Sequence, residues 1–338
     1  MKKAAITIVN WNGKKFLKDC LVSVYKQTHK NFQVYFIDNG SVDGSSDYVR
    51  NNFPKTRIIQ LAKNYGFAKG HNEGIKEALK DKSVEFVICL NNDTIVHKNW
   101  LRELIKTAEK NDTTGMVSSK AYFSDGNVQN AGLGLEKALQ VNRYGGISIG
   151  FSMKDKGRLR EEIEIFCPGG VAPLYKRGML EEIGLFDEDF FTYAEDLDLG
   201  FRGRLAGWKA FLSPKAKLIH LHSQTSGVAS PFKAYYSERN TFLTAIKNLP
   251  MILIPSFIYH NLKLKFSYLN NKNKSVEKLR NNIGFSKMFF ILIKTHLTIL
   301  VYLPKMLIKR WKIQSNKSVT NKEIKKWFEF YNREAIER

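Results

Sequence analysis

The segment Leu90-Asn91-Asn92-Asp93-Thr94 concentrates polar chemistry at one point of the chain. The apolar run Phe86-Val87-Ile88-Cys89-Leu90 reads as a buried strand, and it stops at two amides and a carboxylate. Ligands of open α/β sheets sit at the carboxyl ends of such strands. There Asn91 and Asn92 can hydrogen-bond hydroxyls or phosphate, and Asp93 can bind a hard divalent cation bridged to a phosphate. The competing reading is local: a strand-to-helix turn in which Asn92 or Asp93 caps a helix starting near Trp100.

Four further groups could act with it. In Phe190-Phe191-Thr192-Tyr193-Ala194-Glu195-Asp196-Leu197-Asp198-Leu199-Gly200-Phe201-Arg202, three carboxylates interrupt an apolar stretch. A carboxylate in a partly apolar cleft can serve as a general base. If a helix starts at Glu195, the same residues also complement its dipole, and Asp198 points away from Asp196. Asp38 ends an apolar run and enters the turn-rich loop Asp38-Asn39-Gly40-Ser41-Val42-Asp43-Gly44-Ser45. It can accept from a pyrimidine imide or a ribose hydroxyl, or simply close an Asx turn. Asn64-Tyr65-Gly66-Phe67-Ala68-Lys69-Gly70-His71-Asn72 is a glycine-spaced entry to a helix, suited to an anion or to a buried Asn72. His220 and His222 close the run at Leu218-Ile219; only one of them can face inward from an extended segment.

These groups need a scaffold, and the first hundred residues alternate strand and helix signals. Strands are expected at Ala4–Asn10, Phe32–Ile37, Arg57–Leu61 and Glu85–Leu90, and helices at Lys15–Lys26, Ser45–Asn52, Gly70–Leu79 and Trp100–Lys110. Such alternation predicts an α/β fold with a mostly parallel sheet covered on both faces. Asn10, Asp38 and Asp93 each follow a strand, as one ligand crevice along a sheet edge requires. From about 115 to 230 the pattern is mixed: a strand at Val117–Phe123, a Pro168-Gly169-Gly170 turn, a short helix at Arg177–Ile183 and a strand at Leu218–Leu221. No Gly-x-Gly-x-x-Gly follows the first strand, which argues against dinucleotide redox chemistry.

The net charge of +22 is unevenly spread, at +7 over residues 1–230 and +15 over residues 231–338. The tail is both basic and apolar. Met251–Tyr259 is too short to span a bilayer, and Met288–Ile308 contains Lys294, His296, Pro304 and Lys305. These features fit helices lying in an anionic membrane interface; the alternative is a helical subdomain packed on the sheet with a solvated basic face. Nucleic acid is not expected as a partner, because the apolar blocks are too long for a simple phosphate-binding face. Cys20, Cys89 and Cys167 are far apart, two of them in apolar runs, which suits a reducing cytosolic environment.

In order and spacing, Val9-Asn10-Trp11-Asn12-Gly13, the Asp38–Ser45 loop, Asn64–Asn72, Leu90–Thr94, Glu195–Leu199 and Ala216-Lys217-Leu218-Ile219-His220 resemble the inverting family 2 glycosyltransferases with a GT-A fold, especially the rhamnosyltransferase-like branch. The resemblance spans about residues 4–240. It implies a nucleotide-diphospho-sugar transferase domain (1–240) with a Rossmann-like, mostly parallel sheet, followed by a basic amphipathic, membrane-associating helical extension (241–338). It assigns Asp196 as the catalytic base and Asp93 and His220 as ligands of Mg²⁺ or Mn²⁺. It assigns the donor to Val9, Asn10, Asn12, Asp38, Asn64, Gly66, Asn72, Asn91, Asn92 and Gly170. Asn91 stands where the family's metal motif usually has a carboxylate, although an amide oxygen can also bind a hard cation. The implied donor is a dTDP- or UDP-linked sugar, possibly rhamnose. The implied acceptor is a glycan or lipid-linked glycan in cell-surface polysaccharide synthesis, and the implied location is the cytoplasmic face of the membrane, peripherally bound. A non-catalytic nucleotide-sugar or glycan binder on the same fold is the rival reading.

Overall fold

The computed structural model describes residues 2–136, 139, 148–221, 230–270 and 285–332. The first half follows the alternation. β1 (Lys3–Asn10), α1 (Lys14–Tyr25), β2 (Phe32–Asp38), α2 (Ser45–Asn52), β3 (Arg57–Gln60), α3 (Gly66–Leu79) and β4 (Val84–Asn91) place four parallel strands in the order β3-β2-β1-β4. The interior positions of β1 are almost all buried, and successive residues face opposite layers. Ile6 and Ile8 meet Leu17, Leu21 and Val24 of α1 on one side, whereas Ala5 packs toward Ala68 and Ile75 of α3 on the other.

The second half is mixed rather than parallel. It contains β5 (Thr94–Val96), α4 (Trp100–Ala108), β6 (Thr114–Tyr122), β7 (Val128–Asn130), β8 (Glu164–Ile165), β9 (Leu174–Lys176), α5 (Arg177–Ile183), α6 (Glu195–Leu205) and β10 (Lys209–His220). The sheet continues β4-β9-β6-β10-β5, with β9 antiparallel to both β4 and β6 and β5 antiparallel to β10. Two expected boundaries shift. The helix expected from Gly70 starts four residues earlier, at Gly66. The strand expected at Leu218–Leu221 is the end of a 12-residue strand, whose register with β6 breaks between Leu212 and Lys217, around Pro214. His222 lies outside the described residues.

Four helices complete the chain: α7 (Pro231–Asn248), α8 (Ile254–Asn270), α9 (Phe285–Ser315) and α10 (Asn321–Phe330). The boundary expected at residue 240 falls inside α7. One face of α9 packs against α7 and α6, burying Thr295, Ile299 and Met306. Its cations reach the segment before α6: Lys305 Nζ lies 2.6 Å from Asp189 Oδ1, and Lys309 Nζ lies 2.5 Å from Asp187 Oδ1 and 2.6 Å from Asp189 Oδ2. The opposite face leaves Phe290, Leu297, Val301, Ile308 and Trp311 exposed. Phe289–Ser315 is long and apolar enough, by length and composition, to cross a bilayer, yet its lysines at 305 and 309 are committed to protein carboxylates.

Lys247 is the innermost ion of this junction. It is 2 % exposed, and its Nζ lies 2.6 Å from Asp187 Oδ2 and 2.8 Å from Asp198. Asp198 is fully buried and also accepts from Arg202 Nε at 3.0 Å and Asn248 Nδ2 at 2.8 Å. Burial holds Lys247 below the ordinary lysine range, against the pull of Asp198 and Asp187. Removing one partner of a buried ion pair strands the other charge. Lys247→Ala is therefore expected to lower stability by about 3–5 kcal/mol, measured by denaturant unfolding. A change under about 1 kcal/mol would mean that the network contributes little.

Candidate active site

The carboxyl ends of β1, β2 and β4, the turn after β8 and the start of α6 converge on one cavity of about 570 Å³. Such a volume suits a small-molecule ligand. Of the residues expected at the site, Val9, Asn64, Gly66, Asn91, Asn92, Asp93, Gly170, Asp196 and His220 line it. Asp93 and Asp196, more than a hundred positions apart in sequence, share this space.

Asn10, Asn12, Asp38 and Asn72 are not among its lining residues and serve the loops around it. Asn10 Oδ1 accepts from Asn92 Nδ2 at 2.6 Å, and Asn10 Nδ2 donates to Ser41 Oγ at 3.1 Å. Asn12, at a left-handed φ of 51°, accepts from Val42 N–H. Asp38 is buried; its Oδ1 accepts from Ser41 N–H at 2.8 Å and its Oδ2 from the Ser46 hydroxyl. Asn72 clamps the backbone of Phe186 on both sides and donates to Glu188. Asn39, which the sequence reading did not single out, ties two loops together: it donates to Asn64 Oδ1 and Gly66 O and accepts from Tyr65 N–H. Gly66 has a φ of +84°, and a Cβ there would lie 2.4 Å from Phe191 O, so the position excludes a side chain on both counts.

At the end of β10, His220 Nδ1 sits 2.5 Å from Gln129 Oε1, which makes that nitrogen a donor and turns Nε2 inward. Next to Nε2 are Asp93 Oδ1 at 3.1 Å and the Asn91 amide at 3.3 Å. Two ligands on an ion held at about 2.1 Å lie about 3 Å apart. The Asp93–His220 spacing therefore fits a shared divalent cation. Among the described residues no group of three or more His, Cys, Asp or Glu side chains could hold a metal. Most of such an ion's coordination would come from substrate oxygens and water, as is usual for Mg²⁺. Gln129 is a buried orienting partner with no local sequence signal, since it lies 91 positions from His220.

Asp196 faces the same space from the first turn of α6. The approach to it is unusual: Phe191, Tyr193 and Ala194 all have positive φ (63°, 69° and 64°). Each such residue is strained by about 1–3 kcal/mol. The strain is held by α7, where the Asn240 amide nitrogen lies 2.7–2.8 Å from the carbonyls of Phe190, Thr192 and Tyr193. Arg239 Nη2 adds bonds to the carbonyls of Asp189 and Phe190. Asp196 Oδ2 accepts from Gly170 N–H at 2.7 Å and Oδ1 from Leu197 N–H at 2.8 Å. Burial outweighs these bonds and raises its pKa from 3.8 to about 6. The neighbouring Glu195 is buried, its Oε2 has no hydrogen-bond partner among the described residues, and burial with the charge of Asp196 raises its pKa well above the ordinary value.

A carboxylate near 6 is poised as a general base at neutral pH. Transfer is expected to fall tenfold per pH unit below about 6 and to level off above it. A kcat/KM profile flat down to pH 4.5 would remove this group from the reaction. Folding responds in the opposite sense. The folded state holds this proton more tightly than the unfolded chain, so the group's contribution to stability is full below 3.8 and is lost as pH rises through about 6.

Comparison with known proteins agrees with this geometry. The family model described as "Glycosyl transferase family 2" matches residues 5–184. An N-acetylglucosaminyl-diphospho-decaprenol L-rhamnosyltransferase of Mycobacterium tuberculosis is 24% identical over 254 residues, covering 70% of this chain and 83% of that protein. A poly-beta-1,6-N-acetyl-D-glucosamine synthase of Staphylococcus epidermidis is 28% identical over 220 residues, or 64% of this chain and 49% of the synthase. Among solved structures, GalNAc-T7 with UDP, GalNAc and Mn²⁺ superposes with a TM-score of 0.60 at 15% identity, covering 83% of this chain and 54% of that one. The sheet is thus a GT-A sheet, the reaction is glycosyl transfer, and the chain belongs to glycosyl transferase family 2.

Proposed function

We propose that the chain is an inverting, divalent-metal-dependent glycosyltransferase that moves a sugar from a nucleotide-diphosphate donor to a glycan or lipid-linked acceptor in cell-surface polysaccharide synthesis. The observation that carries this reading is the shared cavity, with the Asp93–His220 pair and the raised, backbone-anchored Asp196 both on its wall. A cation held by Asp93 and His220 would neutralise the charge developing on the departing diphosphate. Asp196 takes the proton from the acceptor hydroxyl as that oxygen attacks the anomeric carbon. Attack from the face opposite the leaving group inverts the configuration in one displacement. The backbone N–H groups of Gly170 and Leu197 hold the carboxylate in place while it does so. Val9, Asn64, Gly66, Asn91 and Asn92 line the donor side. Asp38, with both oxygens engaged inside its loop, shapes the nucleobase pocket through Ser41 and Ser46. The donor is a dTDP- or UDP-linked sugar, and the rhamnosyl relative favours dTDP-rhamnose as the first to try. The test is a panel of nucleotide sugars with Mg²⁺ or Mn²⁺, scored by nucleoside diphosphate release and by the anomeric configuration of the product. A retained configuration, or no turnover of any donor, would sink the proposal.

We also propose that the expected boundary at residue 240 divides roles rather than folding units: the inner faces of α7 and α9 complete the transferase unit, and the outward face of the segment beyond 240 docks peripherally on the cytoplasmic leaflet. The support is the exposed apolar stripe of α9, with Lys287, Lys294 and Lys312 of the same helix exposed and a net +15 beyond residue 230. Interfacial helices bind by apolar burial plus attraction to anionic lipid. Val301→Glu with Ile308→Glu is expected to lower binding to vesicles of 30% anionic lipid by roughly tenfold or more, read by co-flotation. Unchanged flotation would overturn it.

A further inference from the structure

Lys233 is the only lysine or arginine among the described residues lining the catalytic cavity. Among the described residues it has no carboxylate partner, and burial holds its ammonium below the ordinary lysine range. A cation held in a partly desolvated wall without a counter-ion favours an anionic ligand. Its Nζ lies 5.8 Å from the centre of the Tyr193 ring.

The surroundings of Lys233 are aromatic. Phe191 packs against Phe232 at 6.1 Å and Tyr236 at 5.2 Å, and Tyr193 against Phe232 at 6.5 Å. The strained Phe191–Ala194 segment supplies half of this wall and runs directly into Glu195 and Asp196. On its far side the wall continues into α9: Tyr235 donates to Thr298 Oγ1 at 3.1 Å and lies under Lys294 at 5.1 Å. Through Tyr236 and Tyr235, α7 thus links the wall beside Asp196 to α9, whereas the Asp93–His220 pair is the one proposed to answer the donor's diphosphate.

We propose that Lys233 and the Phe191–Tyr193–Phe232 wall form the acceptor subsite, reading a phosphate joined to the acceptor sugar while the rings receive the sugar's apolar face. This deepens the glycosyl-transfer reading and rests on it. The acceptor class it selects is a glycosyl phosphate or diphosphate lipid, its tail directed along α9. Lys233 is thus a specificity-determining residue, distinguishing a phosphate-bearing acceptor from a neutral glycan.

The test uses two probes with the same sugar and tail: dodecyl diphosphate-linked N-acetylglucosamine and dodecyl N-acetylglucosaminide. Each is titrated calorimetrically into the full chain with Mn²⁺ and nucleoside diphosphate. The wild type is expected to prefer the diphosphate probe about tenfold or more. Lys233→Met should erase that preference, and Lys233→Arg should restore most of it. Equal binding of both probes by the wild type, or a preference surviving in Lys233→Met, overturns the proposal. A lost affinity for nucleoside diphosphate in Lys233→Met also overturns it, because the lysine would then serve the donor. Selective binding of the diphosphate probe without transfer from any donor would refute the transferase reading and leave the subsite standing.

Discussion

Asp196→Asn is expected to slow transfer by about 10²- to 10⁴-fold, while nucleoside diphosphate binds within about twofold of the wild type. The substitution keeps the volume of a side chain that lies against Gly170, so the cavity retains its shape. The amide oxygen can still accept from one of the two backbone N–H groups that now bind the carboxylate. What should be lost is the site proposed for the acceptor proton. Glu195→Gln provides the contrast. Its buried Oε2 has no partner among the described residues, and burial with the charge of Asp196 favours the neutral form, so the amide replaces a group of similar shape and the loss should be far smaller. Saturating kinetics for both variants, paired with nucleotide titrations, check this. If Asp196→Asn keeps more than about a tenth of the rate, another group is the base.

The second large effect is expected at the opposite wall. Asp93→Ala removes the carboxylate that lies 3.1 Å from His220 Nε2 and should abolish the gain in nucleoside diphosphate affinity expected from Mn²⁺ in the wild type. The loss in divalent-ion affinity should be about 100-fold or more, because even partners that only orient a ligand contribute 10–100-fold. Gln129→Leu tests that weaker class, since it frees the His220 ring without touching the proposed ligands Asp93 and His220. Calorimetry with and without Mn²⁺ reads both variants independently of turnover. An Mn²⁺ response unchanged in Asp93→Ala would end the ligand assignment. The predicted order of loss is Asp93→Ala, then Gln129→Leu.

Much of this site could be read from the chain because its residues sit where strands stop. Asp93 follows the buried run of β4, and Asp196 opens α6 next to two other carboxylates, so residue type and local pattern agreed. The helix at Arg177–Ile183 was legible to the residue. What escaped was non-local. An antiparallel β9 between two parallel neighbours leaves no mark in periodicity, and β5, β7 and β8 are only two or three residues long. The early start of α3 depends on the Asn39 and Asn64 side chains holding Gly66 in a left-handed turn. Asp38 and Asn72 show a different limit. Their spacing marks them as important, but only the fold shows that their polar atoms are used within the walls rather than turned into the cavity.

The anchoring of α9 on Asp187 and Asp189 has a practical outcome for anyone shortening this protein. Ending a recombinant version at residue 240 would cut α7 in half, discard Lys247 and the two α9 lysines, and strip those counter-charges from Asp187 and Asp189, just upstream of Asp196, and from Asp198, just after it. Such a fragment would fail enzymatically even in lipid-free buffer, and the failure could be mistaken for a lipid requirement. Polar replacements confined to the outward stripe of α9 would improve solubility while keeping the internal counter-charges.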